Sequence, residues 1–123
     1  MIAVDTSSLR RALDRIHDRN ATMTRTAIIE GIVILPPIVV AEALSDPGLP
    51  PEHRARILLM PILPIDEGYW ERAGDLRAWL LRERLHAALP DTLVAQSCID
   101  HDIPLITYDR DFRHFQRAGL MLV

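Results

Sequence analysis

The feature that most constrains the fold is a series of short apolar runs, each separated from the next by a stretch of helical periodicity. Such runs lie at residues 2–4, 32–35, 104–107 and 119–123. They are continuous rather than alternating, which is typical of strands covered on both faces. We therefore predict an α/β fold, a doubly wound sandwich with a short, mostly parallel central sheet.

Turn and capping signals place the predicted helices between these runs. Predicted helical stretches begin near Leu9 and then cover about 23–30, 37–44, 52–59, 69–85 and 91–102, with a short edge strand possible in 61–66. In the helix at 69–85, Trp70 falls on the predicted apolar stripe and Trp79 lies off it. A length of 123 residues predicts a single domain, 1–123.

Composition excludes several classes of function. All 14 basic residues are Arg, which removes any chemistry that needs a lysine amine. The net charge of −3 gives no global attraction for nucleic acid or anionic lipid, and prolines interrupt the longest apolar run, so no membrane association is expected. The N-terminus lacks the pattern of a signal peptide, and the single cysteine, Cys98, favours a reducing, cytoplasmic location.

Acidic residues recur where the predicted strands end. Asp5 follows the first strand, Asp109 and Asp111 follow the strand at 104–107, and Asp91 opens the helix before that strand. Glu42 lies within the otherwise apolar helix of "PIVVAEAL". Because ligands of doubly wound sheets bind outside the carboxyl ends of the strands, we expect these acids to meet at one edge.

Each acid also has an ordinary structural interpretation. Asp5 and Asp91 suit helix starts, Glu42 could be a partly exposed helix position, and Asp109 and Asp111 are common turn and capping residues. Together, however, the carboxylates would repel one another and raise one another's pKa values. A divalent cation would relieve that repulsion, and an all-oxygen set suits Mg²⁺ or Mn²⁺.

The segments that carry these acids resemble the acidic blocks of PIN-domain ribonucleases, especially VapC-type toxins. They read "VDTS", "PPIVVAEAL", "LPDTLVAQSC" and "LITYDRDF", in the family's order and with similar spacing over essentially the whole chain. The resemblance implies metal-binding, catalytic acids at Asp5, Glu42, Asp91 and Asp109, an auxiliary acid at Asp111, and supporting hydroxyls at Thr6 and Thr107. Whether Asp109 or Asp111 is the direct ligand stays open, as does the number of metal ions.

The resemblance also implies an activity and partners. It implies a Mg²⁺- or Mn²⁺-dependent endoribonuclease, a hydrolase that leaves a 5′-phosphate and a 3′-hydroxyl and acts as the toxin of a toxin–antitoxin pair. The implied partners are an RNA substrate, a cognate antitoxin that offers an Arg to the acids, and a second copy of the chain. For the homodimer, Trp79 is a candidate contact, and prolines at 45–64 could frame an antitoxin groove.

Alternative functions compete with this interpretation. A phospho-accepting receiver domain shares the sheet but needs a lysine, which this chain lacks. A catalytically silent PIN-like binding module and a PIN nuclease of RNA maturation or decay both remain open. Cys98 and His101 have the spacing of a metal pair, but without a second pair a structural thiol is the preferred interpretation.

Overall fold

A computed structural model describes residues 1–123 and confirms the predicted α/β fold, with helices packed around a parallel sheet. The strands are β1 (Ile2–Val4), β2 (Val33–Ile34) and β3 (Leu105–Ile106). The α-helices are α1 (Thr6–Leu13), α2 (Arg19–Ile29), α3 (Pro37–Leu44), α4 (Pro51–Leu58), α5 (Tyr69–Arg82) and α6 (Leu89–Asp100), and a 3₁₀ helix spans Arg110–Ala118.

The sheet places β1 in the centre, in the order β2-β1-β3, with both pairings parallel. The chain moves from β1 to β2 on one side and later returns past β1 to β3 on the other. The order therefore reverses between β1 and β3, where Val4 is paired with Ile106. Ligands of open α/β sheets bind at such a reversal, beyond the carboxyl ends of the strands.

Two of the predicted strands are reduced to single bridges. Residues 61–66 contribute only the pairing of Leu35 with Ile62, because Pro61 and Pro64 have no N–H to donate. The C-terminal run 119–123 contributes only the pairing of Leu105 with Leu122. The regular sheet is therefore shorter than the apolar runs suggest.

The helices differ from their predicted bounds mainly at the ends. α3 begins and ends as predicted, whereas α2 begins at Arg19 rather than near 23, because the Asp18 side chain caps it by accepting from the amide of Ala21. No helix in the 123 residues is both long enough and apolar enough to cross a membrane.

The two tryptophans exchange their predicted roles on α5. The buried stripe begins at Tyr69 and continues through Ala73, so Trp70 is 61% exposed, while Trp79 packs against the core. The tyrosine takes the inward position because its hydroxyl donates to the carbonyl of Leu93 at 2.6 Å. The prediction of an exposed Trp79 was therefore wrong, whereas the dimer contact suggested for it stays a prediction.

Candidate functional site

Asp5 occupies the centre of the acidic edge, directly after β1. It is buried, with 6% of its surface exposed. Its Oδ1 accepts from the amide of Ser8 at 3.0 Å and so caps α1, while its Oδ2 accepts from the Thr107 hydroxyl at 2.6 Å. The capping interpretation of Asp5 is therefore correct, but one oxygen is also directed towards the residue that follows β3.

Glu42 reaches the same edge from α3. The side chain is half-buried, and its Oε1 accepts from the Thr6 hydroxyl at 2.7 Å. The Arg10 guanidinium donates to the backbone carbonyl of Glu42 at 3.2 Å rather than to its carboxylate. The two hydroxyls expected to support the acids thus each donate to one acid: Thr6 donates to Glu42 and Thr107 donates to Asp5.

The segment after β3 carries Asp109 and Asp111 in different environments. Asp109, rather than Asp111, caps the 3₁₀ helix, because its Oδ1 accepts from the amide of Asp111 at 2.9 Å. The amide of Asp109 donates to Thr107 Oγ1 at 3.0 Å, so Thr107 joins Asp5 to Asp109. Asp111 lies 3.7 Å from Nε2 of His86, an exposed residue for which the sequence gave no signal.

Asp91 lies in the first turn of α6 rather than at its cap, and its ionisation reports the charge of the whole edge. The pKa of Asp91 is raised from 3.8 to about 6, and burial of the carboxyl group is the largest cause. The negative charges of the other acids supply the rest of the rise, and their contributions decrease in the order Asp109, Asp5, Glu42 and Asp111. Asp91 is therefore electrostatically coupled to each of the other four predicted acids.

Most of the negative charge of the five acids has no basic side chain beside it. Among the five acids only Asp111 has a basic side chain within 4 Å, and that residue is His86. The site thus consists of carboxylate oxygens with an uncompensated negative charge, a donor set whose chemistry fits a hard divalent cation. No three His, Cys, Asp or Glu side chains are arranged as a group that could hold a metal ion, so the structure shows charge coupling rather than ligation.

The arginines on α1 and on the 3₁₀ helix fall into two groups. Arg10, Arg110 and Arg113 are exposed near the acidic residues, whereas Arg11 is bound to Asp18 and lies over the ring of Tyr108. The exposed guanidinium groups are therefore available to a ligand, and Arg11 is already engaged. Tyr108 itself is 61% exposed beside Asp109, and sequence reasoning gave it no role.

Cys98 and His101 do not form a metal pair. Cys98 is buried in the core, and burial, followed by the charge of Asp5, raises the pKa of its thiol to about 12. His101 Nε2 instead lies 2.9 Å from the carbonyl of Pro64. The interpretation of Cys98 as a structural thiol is therefore confirmed.

Comparisons with known proteins agree with the fold. The model of the PIN domain family matches residues 2–118. No curated protein matches the sequence significantly. Two solved structures resemble the fold over 100% of this chain: VapBC2 from Rickettsia felis bound to a DNA fragment from their promoter (TM-score 0.76, 19% identity, 98% of that chain covered), and FitAB bound to an IR36 DNA fragment (TM-score 0.70, 20% identity, 94% covered).

Proposed function

This chain belongs to the PIN-domain family, and on that premise we propose that it is a divalent-metal-dependent endoribonuclease that acts as the toxin of a toxin–antitoxin pair. The observation that carries the proposal is that four other acids lie close enough to Asp91 to raise its pKa, at the sheet edge where the strand order reverses. An edge that concentrates carboxylates without basic partners suits a cation and, through it, a phosphodiester.

Four acids are proposed to hold the metal: Asp5, Glu42, Asp91 and Asp109, with Asp111 as the auxiliary acid. A bound Mg²⁺ or Mn²⁺ would supply an activated water and would stabilise the negative charge that develops on the phosphate. The donor set supports this assignment because it contains only carboxylate oxygens, whose mutual repulsion a cation would relieve.

The remaining side chains of the edge orient the acids. Thr107 holds Oδ2 of Asp5 and the amide of Asp109, so it fixes the relative position of residues from two neighbouring strands. Thr6 holds one oxygen of Glu42 and leaves the other without a side-chain donor. Asp91 or Asp111 would orient the attacking water, since neither is held by a side-chain hydrogen bond within the site.

RNA is the proposed substrate, and the exposed arginines support that choice. Arg10 lies beside Glu42, and Arg110 and Arg113 follow Asp109 on the 3₁₀ helix. Guanidinium groups on both sides of the acids can bind phosphates of the chain on either side of the cleaved bond. The chain's net charge of −3 makes these local contacts, rather than a general attraction, responsible for binding.

An antitoxin is the proposed protein partner, because two of the solved structures similar to this fold are VapBC2 and FitAB complexes. The region at 45–64 supports a docking groove: Leu59 is 85% exposed beside a pocket of about 310 Å³, which Ile28 and Met60 also line. An antitoxin Arg would complement the acidic edge. A homodimer is also proposed, without a contact residue assigned to it.

Cleavage of total RNA by the purified protein tests the proposal. We expect cleavage with Mg²⁺ or Mn²⁺, no cleavage in chelator, and none by Asp5→Asn, with folding of each protein confirmed by its melting curve. Equal cleavage in chelator would refute metal dependence. Absence of cleavage by the folded, metal-loaded protein would favour the catalytically silent binding module.

Expression in cells separates the toxin from a nuclease of RNA maturation. The toxin proposal predicts growth arrest on expression of the wild type, no arrest with Asp5→Asn, and rescue when the neighbouring reading frame is co-expressed. A wild-type protein that cleaves RNA in vitro yet leaves growth unaffected would support a role in RNA maturation or decay.

A further inference from the structure

An exposed aromatic ring stands beside the acidic edge and has no role in the core. Tyr108 lies between Thr107, which donates to Asp5, and Asp109, which caps the 3₁₀ helix. It is 61% exposed, although it lies only two residues after a strand whose residues are buried. A ring of this size at an acidic edge presents apolar surface next to the place where a substrate phosphate would bind.

Arg11 holds this ring in place from one side. The carbon at the centre of its guanidinium lies 4.1 Å from the centroid of the Tyr108 ring, and the same guanidinium is bound to Asp18. Asp18 is itself fixed as the cap of α2. The ring is therefore restrained on one face by a cation whose position is also restrained, and no other aromatic ring of the protein stacks on it.

Tyr108 lines two open clefts. One, of about 530 Å³, is lined by residues that include Arg19, Asn20 and Tyr108. The other, of about 410 Å³, is lined by residues that include Tyr108, Arg110 and Arg113. Both clefts are also lined by Thr107, the residue that hydrogen-bonds to Asp5, and the second is lined by Asp109 as well, so the clefts border the acidic edge.

We propose that Tyr108 stacks against an unpaired base of the RNA, next to the phosphate that is cleaved. This inference rests on the proposed ribonuclease function and adds the source of its selectivity. Bases stack on aromatic side chains in proteins that bind single strands, and cations beside the ring bind the flanking phosphates. A base within a duplex keeps its stacking partners and cannot use the ring, so Tyr108 selects single-stranded RNA.

The strength of stacking predicts the size of the effect. Loss of one base–aromatic stack corresponds to a roughly 5- to 150-fold decrease in kcat/KM. For Tyr108→Leu, the decrease should appear mainly in KM, because the ring binds the substrate and does not touch the reacting atoms. Tyr108→Phe should retain most of the activity, since stacking needs the ring and not its hydroxyl.

A series of abasic RNAs tests the proposal. The cleavage site is first mapped on a library of random single-stranded 12-mers, and a single abasic residue is then placed in turn at each position flanking the mapped site. An abasic residue at the stacked position should weaken cleavage by wild type about as much as Tyr108→Leu does. The same abasic RNA should lower the kcat/KM of the Tyr108→Leu protein little further, because the stacking contact is already absent from that variant.

Trp70→Leu is the matched control, because Trp70 is also 61% exposed but lies at the start of α5. It should cleave every RNA of the series as wild type does. If no abasic position weakens wild-type cleavage, the stacking proposal is wrong, and this result does not depend on the folding of any variant. The stacking proposal would also be refuted if Tyr108→Leu lowered kcat/KM by the same factor on every abasic RNA. Wild-type protein that cleaves no RNA would instead overturn the proposed ribonuclease function itself.

Discussion

Replacing Asp91 by Asn is expected to stabilise the protein in the absence of metal. In the folded protein, burial and then the neighbouring carboxylates raise the pKa of Asp91 from 3.8 to about 6. The folded state therefore holds this proton more tightly than the unfolded state does. Between pH 4 and pH 6 the stability falls as pH rises, and above pH 6 the full cost of the charged carboxylate is present.

The magnitude follows from the size of the pKa change. A change from 3.8 to about 6 corresponds to about 3 kcal/mol before screening. Because the side chain is only half-buried, solvent screening reduces this to roughly 1.5 kcal/mol. Asp91 lies in the first turn of α6, where the helix dipole favours a negative charge, so we expect a net gain of about 1 kcal/mol for Asp91→Asn. For a domain of this size that is roughly 3 to 5 °C in Tm.

Thermal unfolding in chelator at pH 8 and at pH 4 is the appropriate assay. The Asn variant should melt above wild type at pH 8 and close to wild type at pH 4, where Asp91 is already protonated in the folded state. Asp75→Asn, an exposed acid of α5, is the control for the change in net charge. Saturating Mg²⁺ or Mn²⁺ should reverse the order, since an ion that binds the folded state stabilises wild type more. A Tm difference that is the same at both pH values would refute the electrostatic argument.

Three further substitutions or treatments test other parts of the site. Glu42→Gln should abolish cleavage while changing stability by less than about 0.5 kcal/mol, because the amide oxygen can still accept from Thr6; full activity at limiting metal would contradict this. Thr107→Val should destabilise the protein by about 1 to 2 kcal/mol and reduce cleavage, since it removes the 2.6 Å donor of buried Asp5, whereas Thr107→Ser, measured by the same denaturant titration, should keep both properties. Cys98 should react with a thiol reagent only on unfolding, because burial raises its pKa to about 12, and rapid labelling of the native protein would show that the core is open.

The sequence by itself determined the order of the elements and the position of the acids along the chain. Continuous apolar runs between helical stretches predict a parallel sheet, and Pro37 at the first turn fixed the start of α3. These features depend on neighbouring residues, so they are readable without the fold. Even here, the start of α2 was missed because its first turn, "RNAT", has no apolar periodicity and only the Asp18 cap marks it.

The tertiary structure alone decided which surfaces meet. The order β2-β1-β3 brings Thr107 to Asp5 from 102 residues away, and the raised pKa of Asp91 depends on acids from several elements. Whether Trp70 or Trp79 faces the core depends on the rotation of α5 against α6, which the hydroxyl of Tyr69 helps to set. Local sequence encodes periodicity and capping, but burial, charge coupling and the placement of Arg11 on Tyr108 arise from contacts between residues distant in the chain.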